Sequence, residues 1–499
     1  MSRPGLVRGT SGGSGVTARA RAARPARAIV VGSGPNGLAA AVTLARSGLV
    51  VHVIEGADTP GGGCRTQELT LAGFRHDVCS AVHPLAAASP FFQALDLPGR
   101  GVRLRTPKVA FAHPLDGGRA AAVAGSVDET AGGLGRDGAA YRRLLGPLVR
   151  DAGLTVPDIL APLRSVPGHP FAMARFGLRG LLSASLLARQ FRTPEAQALL
   201  AGAAAHAMLP LTAPVTGAFG LVLMMTAHTV GWPVIEGGTA RLTEALVAEL
   251  TSLGGTLETG RWVRSLDSLP PAEAVLLDLT PRQLTVLAGD RIRSRHRRAL
   301  ARFRYGTGVC KVDWALRGPV PWQAAACREA GTVHLGGTAA EVACSEAQTA
   351  AGQHPEHPYC IVAQPGVADP SRAPAGGHTL WGYCHVPPGS AVDMSGRVEA
   401  QIERFAPGFG DLILARSVRT AAEMEHYNPN YVGGDINSGA GTLRQTVFRP
   451  TPRWNPYRTP MPGIYLCSAS TPPGGGVHGM CGHGAARTVL ADLGAAARR

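Results

Sequence analysis

Lysine is nearly absent from this 499-residue chain. Of its 49 basic residues only Lys108 and Lys311 are lysine, so 47 are arginine. With 65 glycines and 39 prolines alongside, the arginine excess reflects a G+C-rich coding bias. A net charge of +15 from that source does not imply a nucleic-acid partner, and none is expected. Paired cysteines are also missing: none of the nine stands in a C-x-x-C. This excludes zinc and iron–sulfur spacings and a redox-active dithiol, so no metal is expected. It predicts reduced thiols in a cytoplasmic setting. Residues 1–27 hold six Arg and no acid but lack the apolar core of a secretory signal. A disordered tail is expected there; a transit peptide has similar composition. Residues 196–235 carry no charge, but Pro210, Pro214 and Pro233 break them. Their best helical stretch, Val215–Val230, is short for a membrane span. It reads as a buried helix beside an apolar pocket, with shallow membrane docking as the alternative.

What is present is concentrated in residues 28–66. Ala28–Val31 is a β-branched run of the kind buried in parallel sheets. Gly32-x-Gly34-Pro35-Asn36-Gly37 follows at once, then a helical stretch Leu38–Ser47, then the apolar run Val50–Ile54 ending on Glu55. Glycine, helix and an acid 18 positions after Gly37 are the parts of a dinucleotide-binding βαβ unit. Gly32 permits the tight turn, Gly34 lets backbone approach a pyrophosphate, and Gly37 lets helix and strand pack closely. The helix N-terminus offers free N–H groups and partial positive charge. Glu55 suits ribose hydroxyls and would repel a 2′-phosphate.

Later segments read as further pieces of the same unit. Thr239–Leu253 reads as a helix, Thr256–Arg264 and Val275–Leu279 as strands, Gly463–Ala469 as a buried strand and Ala485–Leu493 as a helix. The expected organisation is a Rossmann-like α/β unit from residues 28–115, 236–300 and 456–499. Residues 116–235 and 301–455 form a substrate domain of mixed sheet and helices. No further strand leads at once into G-x-G-x-x-G, so a separate nicotinamide domain is not expected. The run 291–304 carries seven Arg and reads as a solvated basic helix.

A second glycine cluster, Gly61-Gly62-Gly63-Cys64-Arg65-Thr66, resembles the motif that FAD enzymes of the amine oxidase and phytoene desaturase type place beside the pyrophosphate. Gly73–Leu85, Gly308–Trp322, Asn428–Gly439 and Leu466–Gly484 are similar to the phytoene desaturase-like carotenoid/retinoid oxidoreductases, and above all to members known only as pyridine nucleotide-disulfide oxidoreductase domain proteins. The resemblance implies FAD in a glutathione-reductase-like domain with an inserted substrate domain. It implies Arg65 against phosphate and a strand near Val263 holding the adenine. Gly475, Gly476 and Val477 would face the flavin ring, and the helix N-terminus near Gly482 would aim N–H groups at it. By the same resemblance Lys311 holds a water near the flavin. His83 and His478 stand as candidate bases, and Tyr427 and Tyr431 as cavity residues. Cys467, Cys481 and His478 stand as candidates for covalent flavin attachment. The expected activity is hydride removal from an apolar small molecule, forming C=C or C=N, with electrons leaving to oxygen or a quinone. A flavin amine oxidase, a flavin-dependent isomerase and a non-enzymatic flavoprotein stand as alternatives. Peripheral membrane contact and homo-oligomerisation stay open.

Overall fold

The computed structural model describes Met1 and residues 26–496. The arginine-rich segment 1–27 thus lies almost wholly outside the described residues. The run Arg27–Val31 forms the central strand of a five-stranded parallel sheet, ordered 464–466, 274–277, 27–31, 50–54, 256–258. Its apolar residues are buried on both faces, as an all-parallel sheet requires. Ile29 pairs with His52 on one side and Val275 on the other. Pro35 opens the helix Pro35–Arg46, where its missing N–H costs nothing. Leu38, Ala39, Val42 and Leu44 bury that helix against the sheet and against the C-terminal helix Met480–Ala496. Burial of each such Leu or Val is worth roughly 1.5–3 kcal/mol, against about 1 for a typical cap.

The second sheet has seven strands, ordered 413–419, 308–316, 378–386, 360–363, 330–335, 109–115, 119–123. Strand alternation sorts its side chains. Cys310, Val312, Trp314, Leu380, Cys384 and Val386 pack beneath it with Val398, Ile402 and Phe405 of the helix Ser395–Phe405. Lys311, Asp313, Trp381, Tyr383 and His385 alternate with them and face the other way. Helices Pro194–Ala205 and Thr216–Thr229, which hold most of the uncharged segment, bury most of their residues over the sheet's 109–123 end. Among the described residues no helix is long and apolar enough to cross a membrane.

Three local expectations are corrected. Val109–Leu115 joins the mixed sheet, pairing Phe111 with Thr332, so the first nucleotide-binding segment ends before residue 109 rather than at 115. The strand expected over 256–264 stops at Glu258, because its one neighbour, Val50–Ile54, ends opposite it. Val263 therefore sits in irregular chain. The C-terminal helix begins at Met480 rather than 485, so Gly482 lies inside it.

Candidate functional site

A single cavity of about 840 Å³ runs from the glycine turn of the first sheet to the upper face of the second. At its nucleotide-binding end Gly32 holds φ +97°. A Cβ on Gly37 would lie 2.2 Å from the Gly32 carbonyl oxygen, so no other residue fits that turn. Glu55 closes this end. Its Oε2 accepts the Ser33 N–H and Oγ–H at 2.8 and 2.6 Å, and its Oε1 accepts the Ala57 N–H at 2.9 Å.

The residues expected to bind cofactor divide into two groups. Gly32, Gly34, Pro35, Asn36, Glu55, Gly62, Gly63, Arg65, Val263, Gly476 and Val477 line the cavity. Gly37, Gly61, Thr66, Gly475 and Gly482 do not. Gly61 donates its N–H to the Ser33 carbonyl, and Thr66 donates its hydroxyl to Asp77. Gly475 packs against Asn437, and Gly482 against the Asn36 carbonyl. These are positions of close packing rather than contact. Arg65 is also spoken for: it donates to the Thr59 and Pro60 carbonyls and to the Tyr427 hydroxyl. It pins the second glycine turn instead of reaching freely into the cavity.

Sequence reasoning missed Asp278. It follows the strand Ala274–Leu277, and its Oδ2 accepts the Gly37 N–H at 3.0 Å from beneath the glycine turn. It lines the cavity, and burial, with Glu55 nearby, pushes its carboxyl up to about 7. Nothing in the local sequence signals it, because Asp278 and Gly37 are 241 residues apart.

At the opposite end the cavity is walled by Cys79, His83, His206, Leu223, Trp232, Ile361, Trp381, Tyr383 and Tyr431. Trp381 and Tyr383 stand edge to face, 5.2 Å between centroids. His83 bonds the Thr239 hydroxyl through Nε2, and its buried Nδ1 has no partner. Burial pulls it down to about 4, so it is a neutral imidazole. His206, also missed, places Nε2 2.9 Å from His334 Nε2, and burial pulls it down to about 3.

The other two catalytic candidates lie off the cavity lining. His478 accepts the Met480 N–H at Nδ1, 3.0 Å, and bonds the Gly474 carbonyl through Nε2, 3.1 Å. Both nitrogens are occupied, so it fixes the loop and has none free for a proton. Lys311 sits behind Trp381, with its ammonium 5.5 Å from that ring, and is ion-paired with Asp313. Burial pulls the lysine down and pushes Asp313 up to about 6. His76 extends the cluster, 3.6 Å from Asp313. Fully buried Arg372 bridges Asp77 and Asp369 alongside. Cys467 and Cys481 are buried and absent from the lining.

A dinucleotide fits what is present. The turn lacks side chains where a pyrophosphate would approach. An acid closes the ribose end. The buried side-chain Oδ1 atoms of Asn36 and Asn430 are unpartnered, and both residues line the cavity.

Residues 30–95 match the NAD(P)-binding Rossmann-like domain family. Over 93% of both chains, this one is 26% identical to the rat pyridine nucleotide-disulfide oxidoreductase domain-containing protein 2. It is 23% identical to one of the subunits of limonene dehydrogenase from Castellaniella defragrans, over 93% of this chain and 94% of that one. Among solved structures, putrescine oxidase superposes with a TM-score of 0.60 at 17% identity, over 94% of this chain and 99% of the other. The fold is thus a Rossmann-like nucleotide-binding α/β unit joined to a mixed sheet with helices, an architecture shared with putrescine oxidase.

Proposed function

We propose that this chain is an FAD-dependent oxidoreductase that dehydrogenates an uncharged, apolar small molecule. One observation carries the reading: the cavity joins a nucleotide-binding glycine turn to an aromatic chamber in which the two ionisable imidazoles, His83 and His206, are neutral. FAD, when bound, supplies a hydride acceptor. The chain supplies the rest. Trp232, Leu223, Ile361 and Trp381 exclude water and hold an apolar substrate by dispersion and burial. His83 Nδ1, unpartnered and uncharged, takes the proton that accompanies hydride loss. The glycine turn and the N-terminus of the helix Pro35–Arg46 hold the pyrophosphate. Electrons leave to oxygen or a quinone-type carrier. The relative named for limonene, an apolar hydrocarbon, supports the substrate class. A desaturase-like product, C=C, follows from that class.

An amine oxidase is the second reading. The edge-to-face Trp381–Tyr383 pair and the likeness to putrescine oxidase favour it. Against it, among the described residues the only carboxyl groups on the lining are Glu55 and Asp278, both at the nucleotide end. An ammonium substrate would lack a counter-charge in the chamber.

The test is anaerobic titration of the purified protein while its flavin absorbance is followed. Bleaching by terpene or polyene extracts, and not by amines, is expected. Bleaching by amines alone would overturn the substrate class. A bound flavin that nothing reduces would favour the isomerase or non-enzymatic readings.

A further inference from the structure

Apolar exposure on this protein is concentrated. Of the 20 large hydrophobic side chains exposed among the described residues, eight lie between Leu154 and Leu186 and three between Leu443 and Trp454. Val166 is 93% exposed, Phe171 88%, Leu178 76% and Trp454 81%. The two segments meet at Arg164, whose guanidinium lies 5.3 Å from the Phe448 ring and 5.4 Å from the Trp454 ring. Arg164 also donates to the Arg453 carbonyl at 2.6 Å. On the helix Pro170–Gly180, Ala172, Phe176 and Gly180 are buried at intervals of four. Phe171 and Leu178, seven apart, share the outward face. The loop leading into that helix is held in place, since Gly168 and His169 donate their N–H groups to Asp158.

Charge follows the same pattern. Residues 159–194 contain five Arg and no Asp or Glu, and residues 443–458 contain four Arg and no acid. Arg175 pairs with Asp151 and Arg458 with Asp492, while Arg449 is buried. Arg179, Arg189, Arg444 and Arg453 pair with no carboxylate among the described residues. Exposed Phe, Leu and Trp rimmed by unpaired arginines make the composition of an interfacial anchor: the apolar groups enter the headgroup boundary and the cations meet lipid phosphate. A second protein copy would bring the same arginines against themselves. The basic run 291–304 lacks the apolar component, since Leu300 of its helix Ser294–Ala301 is turned inward.

The surface also adjoins the substrate end of the cavity. The helix Pro170–Gly180 packs on Thr216–Thr229, whose Leu223 lines the chamber. Asn437 and Ser438 line it too, shortly before the helix Leu443–Phe448.

We infer that the face built by residues 163–186 and 443–454 docks the protein on an anionic lipid bilayer, with Phe171, Leu178 and Trp454 entering the headgroup boundary. This docking does not depend on which reaction the cavity performs. The test is co-sedimentation of the full chain with phosphatidylcholine vesicles, with and without phosphatidylglycerol. Binding to the anionic vesicles, weakened by salt and by at least about tenfold in Phe171→Ser/Leu178→Ser/Trp454→Ser, is expected. These side chains are exposed, so the triple variant should melt with the parent. Three results would overturn the inference: no binding to anionic vesicles; a triple variant that binds as the parent does; or self-association of the parent that the triple variant abolishes, which would assign the face to a second copy.

Discussion

A buried carboxyl beneath a pyrophosphate site sets two negative groups against each other. Asp278 accepts the Gly37 N–H on the edge of the turn where a dinucleotide's phosphates would lie, and Glu55 adds a second negative charge. The other groups around it are Cys467 and Cys481, both buried thiols, and Asn430, which donates to its backbone carbonyl. Burial raises its carboxyl to about 7, so near neutral pH the protonated form is accessible and is the form a pyrophosphate favours. Affinity for FAD should fall as pH rises through that value, because binding then requires proton uptake. Flavin released into solution, read by fluorescence between pH 6 and 8, should increase with pH in the parent (the range spans that pKa). Asp278→Asn should bind more tightly at the alkaline end and lose the dependence. An unchanged pH profile in the variant would place the titrating group elsewhere. His83 carries a second residue-scale prediction. His83→Gln should keep bound flavin but slow its reduction by substrate by about a hundredfold or more. His478→Gln, by contrast, should act on the loop and loosen flavin without a specific loss of reduction rate.

At the scale of elements, close approach between helices decides which positions tolerate change. The C-terminal helix crosses Pro35–Arg46 so tightly that a Cβ on Gly482 would lie 1.8 Å from the Asn36 carbonyl oxygen. Backbone cannot yield as a side-chain tip can. Gly482→Ala should therefore cost at least about 1–3 kcal/mol by overpacking, read as a lowered urea midpoint. It should also disturb Asn36 on the cavity wall. The nucleotide-binding elements were legible in the sequence because their signals are local: Gly32, Gly34, Gly37 and Glu55 lie within one βαβ unit. Asp278 and His206 were not, since each is brought to the cavity by an element remote from that unit. The resemblance placed Lys311 near the flavin, but it did not reveal that Trp381 covers it or that Asp313 neutralises it. For His478 the motif gave proximity to the loop without the two backbone partners that occupy its ring.

Across the whole molecule, the two sheets share one cavity, and a buried ionic cluster lies where they meet. Arg372 holds Asp77 and Asp369, and Asp77 in turn accepts the Thr239 N–H at the start of the helix Ala240–Ser252. Thr239 also bonds His83. Removing the arginine would leave two buried carboxylates without a cation. Arg372→Met should destabilise the protein by about 3–5 kcal/mol in denaturant unfolding. If the cluster were replaceable, the loss would fall within about 1 kcal/mol, as for an exposed pair. The claim on which the rest stands is that the glycine turn binds FAD. The direct measurement is to denature the purified protein and identify and quantify the nucleotide released. One FAD per chain is predicted. Release of NAD or NADP in its place would contradict the account.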